Sequence, residues 1–165
     1  MRIIFQDIDG PLIPLRMYYR GGRPFDYQKG SFMFDPIAVD MINHVCQEFD
    51  ARVVFNTAHN ENPEHVMKHQ GTVNGFTHLH ENCTTEFIRS IDNRFEAIKE
   101  WLSRHPEVTE WIVVDDMEVH RPRQVLVDYS TGMTIHNYYN MCELFGNKKS
   151  IITGVGQTSG VNYKI

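Results

Sequence analysis

The chain has 165 residues and a net charge of -5, from 16 Lys and Arg against 21 Asp and Glu. It is 41% hydrophobic and 22% charged, ordinary values for one globular domain long enough to bury a core. The charge balance excludes tracking along extended nucleic acid, which needs a broad cationic surface, but not the binding of a nucleotide or a nucleic-acid end. No apolar run reaches the roughly 18 residues needed to cross a bilayer, so no membrane association is expected. Acidic residues arrive by position 7 and would interrupt a signal peptide, so the expected location is cytoplasmic. Cys46, Cys83 and Cys142, odd in number and widely spaced, are expected as reduced thiols.

Residues 2–6, Arg-Ile-Ile-Phe-Gln, have the pattern of a short buried strand. Residues 11–34 are rich in Pro, Gly and Tyr without periodicity, which predicts a functional flap. Asp35 and Pro36 open a helix as N-cap and first residue, with Ile37, Met41, Ile42 and Val45 as its apolar face. Arg52 to Phe55 is a second strand, and Pro63 to His69 a short helix stopping near Gly71. The stretch from Thr72 to Arg89 carries no clear pattern. Asp92 is placed to cap a helix running to about Arg104, with Phe95, Ile98, Trp101 and Leu102 on one side. Trp111 to Val114 is a third strand, Val125 to Val127 a fourth, and Thr134 to Phe145 a last helix. Trp101 and Trp111 are expected in the core. Residues 1–146 thus form one domain and 147–165 a polar tail.

Strands alternating with helices predict an α/β fold with a mainly parallel sheet. Ligands in such folds bind beyond the carboxyl ends of the strands. Asp7 and Asp9, Thr57, and Asp115 with Asp116 each follow a predicted strand, so they converge on one sheet edge. So many carboxylates repel one another without a cation, and Mg2+ suits a few carboxylates with a substrate phosphate. The Gly10-Pro11 turn lets Asp7 and Asp9 reach the same site. One can attack phosphorus while the other protonates the leaving oxygen and later activates water.

Ile3-Ile4-Phe5-Gln6-Asp7-Ile8-Asp9-Gly10-Pro11-Leu12 resembles the first motif of the haloacid dehalogenase (HAD) superfamily. Val53-Val54-Phe55-Asn56-Thr57 resembles the second, Asn93-Arg94-Phe95-Glu96-Ala97-Ile98 the third, and Ile112-Val113-Val114-Asp115-Asp116 the fourth. Order and spacing agree over about residues 2–145. Within the superfamily the chain looks most like the HAD domains associated with Swiss Army Knife RNA repair proteins. The Pro-led helix after the flap, a helix ending in Trp101-Leu102, and an acidic pair after a Trp-led strand carry that likeness.

The resemblance implies a HAD-like, Rossmann-like three-layer sandwich without a full cap domain, and a phosphatase or nucleotidase activity. Asp7 would be the nucleophile and Asp9 the general acid/base. Thr57 would orient the phosphate, and Arg94 would balance its charge and that of Asp7. Asp116, helped by Asp115, would bind magnesium with Asp7 and the Ile8 carbonyl, and Asp9 belongs to the same metal-binding set. Two features depart from the pattern. The second motif lacks its usual phosphate-binding Arg, and His59 is the candidate substitute; a shift of one position makes Asn56 the key residue instead of Thr57. Arg94 stands where Lys is commoner, a planar fork in place of a point charge.

The substrate expected is a phosphorylated small molecule or a nucleic-acid end. Arg16, Tyr18, Tyr19, Arg20 and Arg23 of the flap combine rings and charges suited to a base and a phosphate. A catalytically impaired binding module and a phosphotransferase are the alternatives. Two further patterns carry less. Cys83 to Arg89 has the Cys-x5-Arg spacing of cysteine phosphatases but lacks their glycines. His65 and His69, and His78 and His80, are read as solvated or packing residues, because a transition-metal site needs further ligands.

Overall fold

The computed structural model describes residues 1–19, 24–86 and 93–146. Five strands form one parallel sheet in the order β5-β4-β1-β6-β7. They are β1 (Arg2–Gln6), β4 (Ala51–Phe55), β5 (Leu79–Thr84), β6 (Glu110–Asp115) and β7 (Gln124–Leu126). The connecting helices are α2 (Pro36–Phe49), α3 (Glu64–Val73), α4 (Arg94–Ser103) and α5 (Ile135–Leu144). The predicted flap contains a one-turn helix α1 (Leu15–Tyr18) and an antiparallel hairpin of β2 (Phe25–Asp26) and β3 (Ser31–Phe32). This is the expected Rossmann-like arrangement, and no cap domain is inserted among the described residues.

Alternation along the central strands divides the core into two layers. Ile4, Val53, Phe55, Ile112 and Val114 join the residues of α2 and α5 on one face. Ile3, Phe5, Val54 and Val113 join Ile98 and Trp101 of α4 on the other. The central strands are apolar at successive positions because both faces are covered. Trp101 is buried, as expected, whereas Trp111 is only half-buried at the margin of the second layer.

Two expectations are corrected, and a stretch left unassigned gains a strand. Ile37 is 61% exposed, because α2 buries Ala38, Val39, Ile42, Val45, Cys46 and Phe49 and that stripe leaves position 37 on the outside. Gly71 does not stop α3, which continues to Val73. A Cβ at Gly71 would stand 2.9 Å from Leu79 Cδ1 and 3.2 Å from the Phe55 ring, so its smallness serves helix–sheet packing. The stretch after Thr72 contains β5, an edge strand whose polar sequence Leu-His-Glu-Asn-Cys-Thr hid it.

Asp35 does cap α2, accepting the Ile37 N–H at 3.0 Å, and Arg16 of α1 pairs with the same carboxylate. The flap is thereby anchored to the domain. The capping role given to Asp92, and the tail at 147–165, lie outside the described residues. Cys46, Cys83 and Cys142 are free and buried. Among the described residues no helix is long and apolar enough to cross a membrane.

Candidate active site

The site follows from strand register. Gln6 pairs with Phe55 on one side and with Val114 on the other. The ladder continues one step further, with the Asn56 N–H donating to Gln6 O and the Asp7 N–H to Val114 O, each at 2.9 Å. Asn56, Asp7 and Asp115 therefore form a row across three neighbouring strands. By alternation they follow Val54, Phe5 and Val113, which face α4. Arg94, the first residue of α4, meets the row from above.

Arg94 is buried, and its Nη1 stands between two carboxylates, 2.6 Å from Asp115 Oδ2 and 3.0 Å from Asp7 Oδ2. Only the contact with Asp115 has hydrogen-bond geometry, and the one with Asp7 is an ion pair. Asp115 also accepts the Met117 N–H at 2.8 Å, so both of its oxygens are engaged. Both oxygens of Asp7 are buried without a hydrogen-bond partner among the described residues. Asp115 is the better frame and Asp7 the better ligand or nucleophile.

Ligand oxygens of Asp7, Asp115 and Asp116 lie within 4.8 Å of one another. Three carboxylates thus face one guanidinium. Burial, with repulsion from Asp115, pushes Asp7 up to about 8 despite Arg94. Burial likewise raises Asp115 to about 6, against the pull of Arg94, and raises Asp116. The cluster fits a hard divalent cation, which takes oxygen ligands and supplies the missing positive charge. Gly10 makes it possible. Its φ is +81°, and a Cβ there would stand 2.8 Å from Cβ and Cγ of Asp116.

Asp9 is half-buried on the other side of the turn, apart from the three-carboxylate group. Its Oδ2 lies 3.1 Å from His59 Nε2, and the His59 ring packs edge-on against Phe32. A cavity of about 380 Å³ opens over these groups, lined by Asp7, Asp9, Arg94 and Asp116 and walled by Tyr18, Phe32, His59, Met117 and Tyr129.

The structure thus places Asp7, Asp9, Asp116, Arg94 and His59 around one cavity, with Asp115 paired to Arg94. Thr57 and Asn56 are fully buried and do not line this cavity. Thr57 instead accepts the His59 N–H at 3.4 Å and starts a 3-10 turn at Ala58–Glu61. Of the flap candidates, Tyr18 lines the cavity, Arg16 pairs with Asp35 and Tyr19 points outward. Arg20, Arg23 and Arg89 lie outside the described residues. Sequence reasoning missed Phe32, Met117 and Tyr129, which carry no motif and reach the wall only through the tertiary fold.

A second group, His80, His105 and Glu107, also has ligand atoms within 4.8 Å. Three of its four ring nitrogens are already engaged. His80 Nδ1 accepts the Asn82 N–H at 3.0 Å, His105 Nδ1 lies 2.7 Å from Trp101 O, and His105 Nε2 lies 3.1 Å from the Asn82 amide. The His105 ring stacks on Trp101 at 3.6 Å. For His80 the packing reading accounts for these contacts.

A parallel α/β sheet carrying paired aspartates past its first strand, an acidic pair past β6 and a basic residue opening α4 defines a HAD-like domain. The sequence matches the family described as HAD domain in Swiss Army Knife RNA repair proteins over residues 3–137, and the chain belongs to that family. No curated protein and no solved structure matches it.

Proposed function

We propose that this chain is a magnesium-dependent phosphomonoesterase that works through an aspartyl-phosphate on Asp7. The observation that carries this reading is the Asp7 carboxylate, buried and without a hydrogen-bond partner, beside Arg94 and two further carboxylates. Asp7 and Asp116 hold the ion, with Asp115 keeping Arg94 and the backbone in place. Bound magnesium supplies positive charge that offsets the phosphate and the carboxylates together.

In the first half-reaction an Asp7 oxygen attacks phosphorus and the bond to the leaving oxygen breaks. Asp9, in its protonated form, gives its proton to that oxygen. In the second half-reaction Asp9 takes a proton from water, whose oxygen attacks phosphorus. The bond to Asp7 breaks, phosphate leaves, and both aspartates return to their starting forms. Arg94, within ion-pair distance of Asp7, offsets the combined negative charge of Asp7 and the phosphate that approaches it.

The substrate is the phosphate of a nucleotide or nucleic-acid end, handled in the cytoplasm. The aromatic wall of Tyr18, Phe32, His59 and Tyr129 over a charged floor favours a planar group next to the phosphate. Membership of a family found in RNA repair proteins points the same way. The test is magnesium-dependent phosphate release from an aryl phosphate, nucleoside monophosphates and end-phosphorylated oligonucleotides. Wild type should release phosphate and Asp7→Asn should not. Equal inactivity of both on all of these substrates removes the reading.

The absence of an Arg from Asn56 to Asn60 favours a second reading, a binding module that retains the site without turnover. Beryllium fluoride separates the two. A competent Asp7 forms a stable magnesium-dependent adduct with it, and an impaired one does not.

A further inference from the structure

The row that contains Asp7 extends one strand further. Phe55 pairs with Thr84 as well as with Gln6, and the Thr85 N–H donates to Phe55 O at 2.9 Å. Thr85, Asn56 and Asp7 therefore stand side by side, one position past the ends of β5, β4 and β1, at the spacing of adjacent strands. All three are buried.

Hydrogen bonds fix the orientation of the Asn60 amide, the Thr85 hydroxyl and the Asn56 amide. Asn60 Nδ2 lies 3.0 Å from Phe55 O and 3.2 Å from Thr85 O. Carbonyls only accept, so the amide nitrogen of Asn60 must be the atom that faces them. The same nitrogen donates to Thr85 Oγ1 at 3.0 Å. The Thr85 hydroxyl proton then has two acceptors, Asn56 Oδ1 at 2.8 Å and Phe55 O at 3.5 Å. The first is a strong hydrogen bond and the second lies at the limit. Asn56 thus presents its oxygen to Thr85, and its Nδ2 is left as the opposite face of the amide.

That Nδ2 is buried and has no hydrogen-bond partner among the described residues. A buried donor without an acceptor is costly, and it belongs to the residue next to Asp7 in the row, whose own oxygens make an ion pair with Arg94 but no hydrogen bond. A phosphoryl group attacked by Asp7 brings oxygens that only accept, which complements the amide.

We infer that Thr85 is a positioning residue which, held by Asn60, locks the Asn56 amide so that Nδ2 donates to a phosphoryl oxygen. The inference rests on the proposed phosphohydrolase reading and adds a buried support to the second motif, where the usual Arg is missing. It also separates the roles of Asn56 and Thr57. Asn56 supplies the donor, and Thr57 shapes the turn that carries His59.

Thr85→Val is the informative variant, because it keeps the shape and removes the hydroxyl. Asn60 retains Phe55 O and Thr85 O, so only Asn56 loses its lock. The expected result is a fall in kcat/KM and in vanadate affinity of about tenfold, the loss of one hydrogen bond to a charged group. Magnesium affinity should be unchanged, and Thr85→Ser should restore both losses. A variant that melts earlier yet binds vanadate and turns over like wild type overturns the inference and leaves the proposed activity standing. Wild type without turnover sinks the activity, and vanadate binding then decides on Thr85 alone; absence of both overturns both. If Thr85→Val does not fold, the side-chain amide resonances of Asn56 in wild type decide. They should move when vanadate is added with magnesium, and unmoved resonances overturn the inference.

Discussion

His59 Nε2 lies 3.1 Å from Asp9 Oδ2, joining residues 50 positions apart across the mouth of the candidate site. The histidine that could have replaced a missing phosphate-binding Arg thus holds the proposed acid/base. Asp9→Asn is expected to lower kcat by roughly 10²–10⁴, the usual weight of general acid/base catalysis. The loss should be larger for alkyl phosphates than for aryl phosphates, whose leaving oxygens need less help. His59→Ala, which releases Asp9 and removes one ring of the wall, should lose about tenfold by the same comparison. Equal losses on both substrate types would contradict the assignment.

Gly10 faces Asp116 so closely that a methyl group there has no room. Gly10→Ala also forces an alanine into a left-handed conformation, which costs about 1–2 kcal/mol. The expected outcome is a lower thermal midpoint together with weaker magnesium binding, because Asp116 must move. Thermal denaturation with and without magnesium measures both, and the variant should gain less from the ion than wild type.

Arg94 is the cation shared by Asp7 and Asp115 in a buried setting. Arg94→Met leaves two carboxylates facing each other and should cost about 3–5 kcal/mol, the usual effect of removing one partner of a buried ion pair. Arg94→Lys restores the charge without the fork, so it should recover part of the stability and a smaller part of the activity. Urea unfolding reads the first quantity and phosphate release the second.

The raised carboxylates give the metal-free protein a defined pH dependence. Asp7 rises from 3.8 to about 8 and Asp115 to about 6. The folded state therefore binds more protons than the unfolded state between about pH 4 and 8, and its stability falls as pH rises through that window. Below it both states are protonated and the penalty is absent. Magnesium must displace these protons, so its affinity should increase from pH 6 to pH 8 with proton release. Melting curves with EDTA and with magnesium should converge near pH 5 and separate most near pH 8.

The charged floor was legible in sequence because Asp7, Arg94, Asp115 and Asp116 sit next to apolar strands or open a helix. Their positions relative to an element end are local facts, and parallel pairing then aligns them. Ile37 fails the same reasoning, since the buried stripe of α2 is centred on Ala38, Val39 and Ile42. Gly71 misled for a related reason. Glycine marks both helix ends and close approaches, and only the contact with Leu79 and Phe55 tells them apart.

The remaining parts depend on tertiary pairing. Thr85 follows an edge strand that is polar outward and therefore lacks an apolar signal. The partnership of His59 with Asp9 requires the 3-10 turn that Thr57 starts. The wall residues Phe32 and Tyr129 come from a hairpin and a loop whose positions no local pattern specifies.

The central claim is that phosphate passes through Asp7. Rapid acid quenching during turnover, followed by peptide mass analysis, tests it most directly. A phosphoryl group on the peptide containing Asp7, present only with magnesium and absent from Asp7→Asn, is the predicted result. Phosphate release by Asp7→Asn at the wild-type rate, with no such adduct in wild type, would contradict the account.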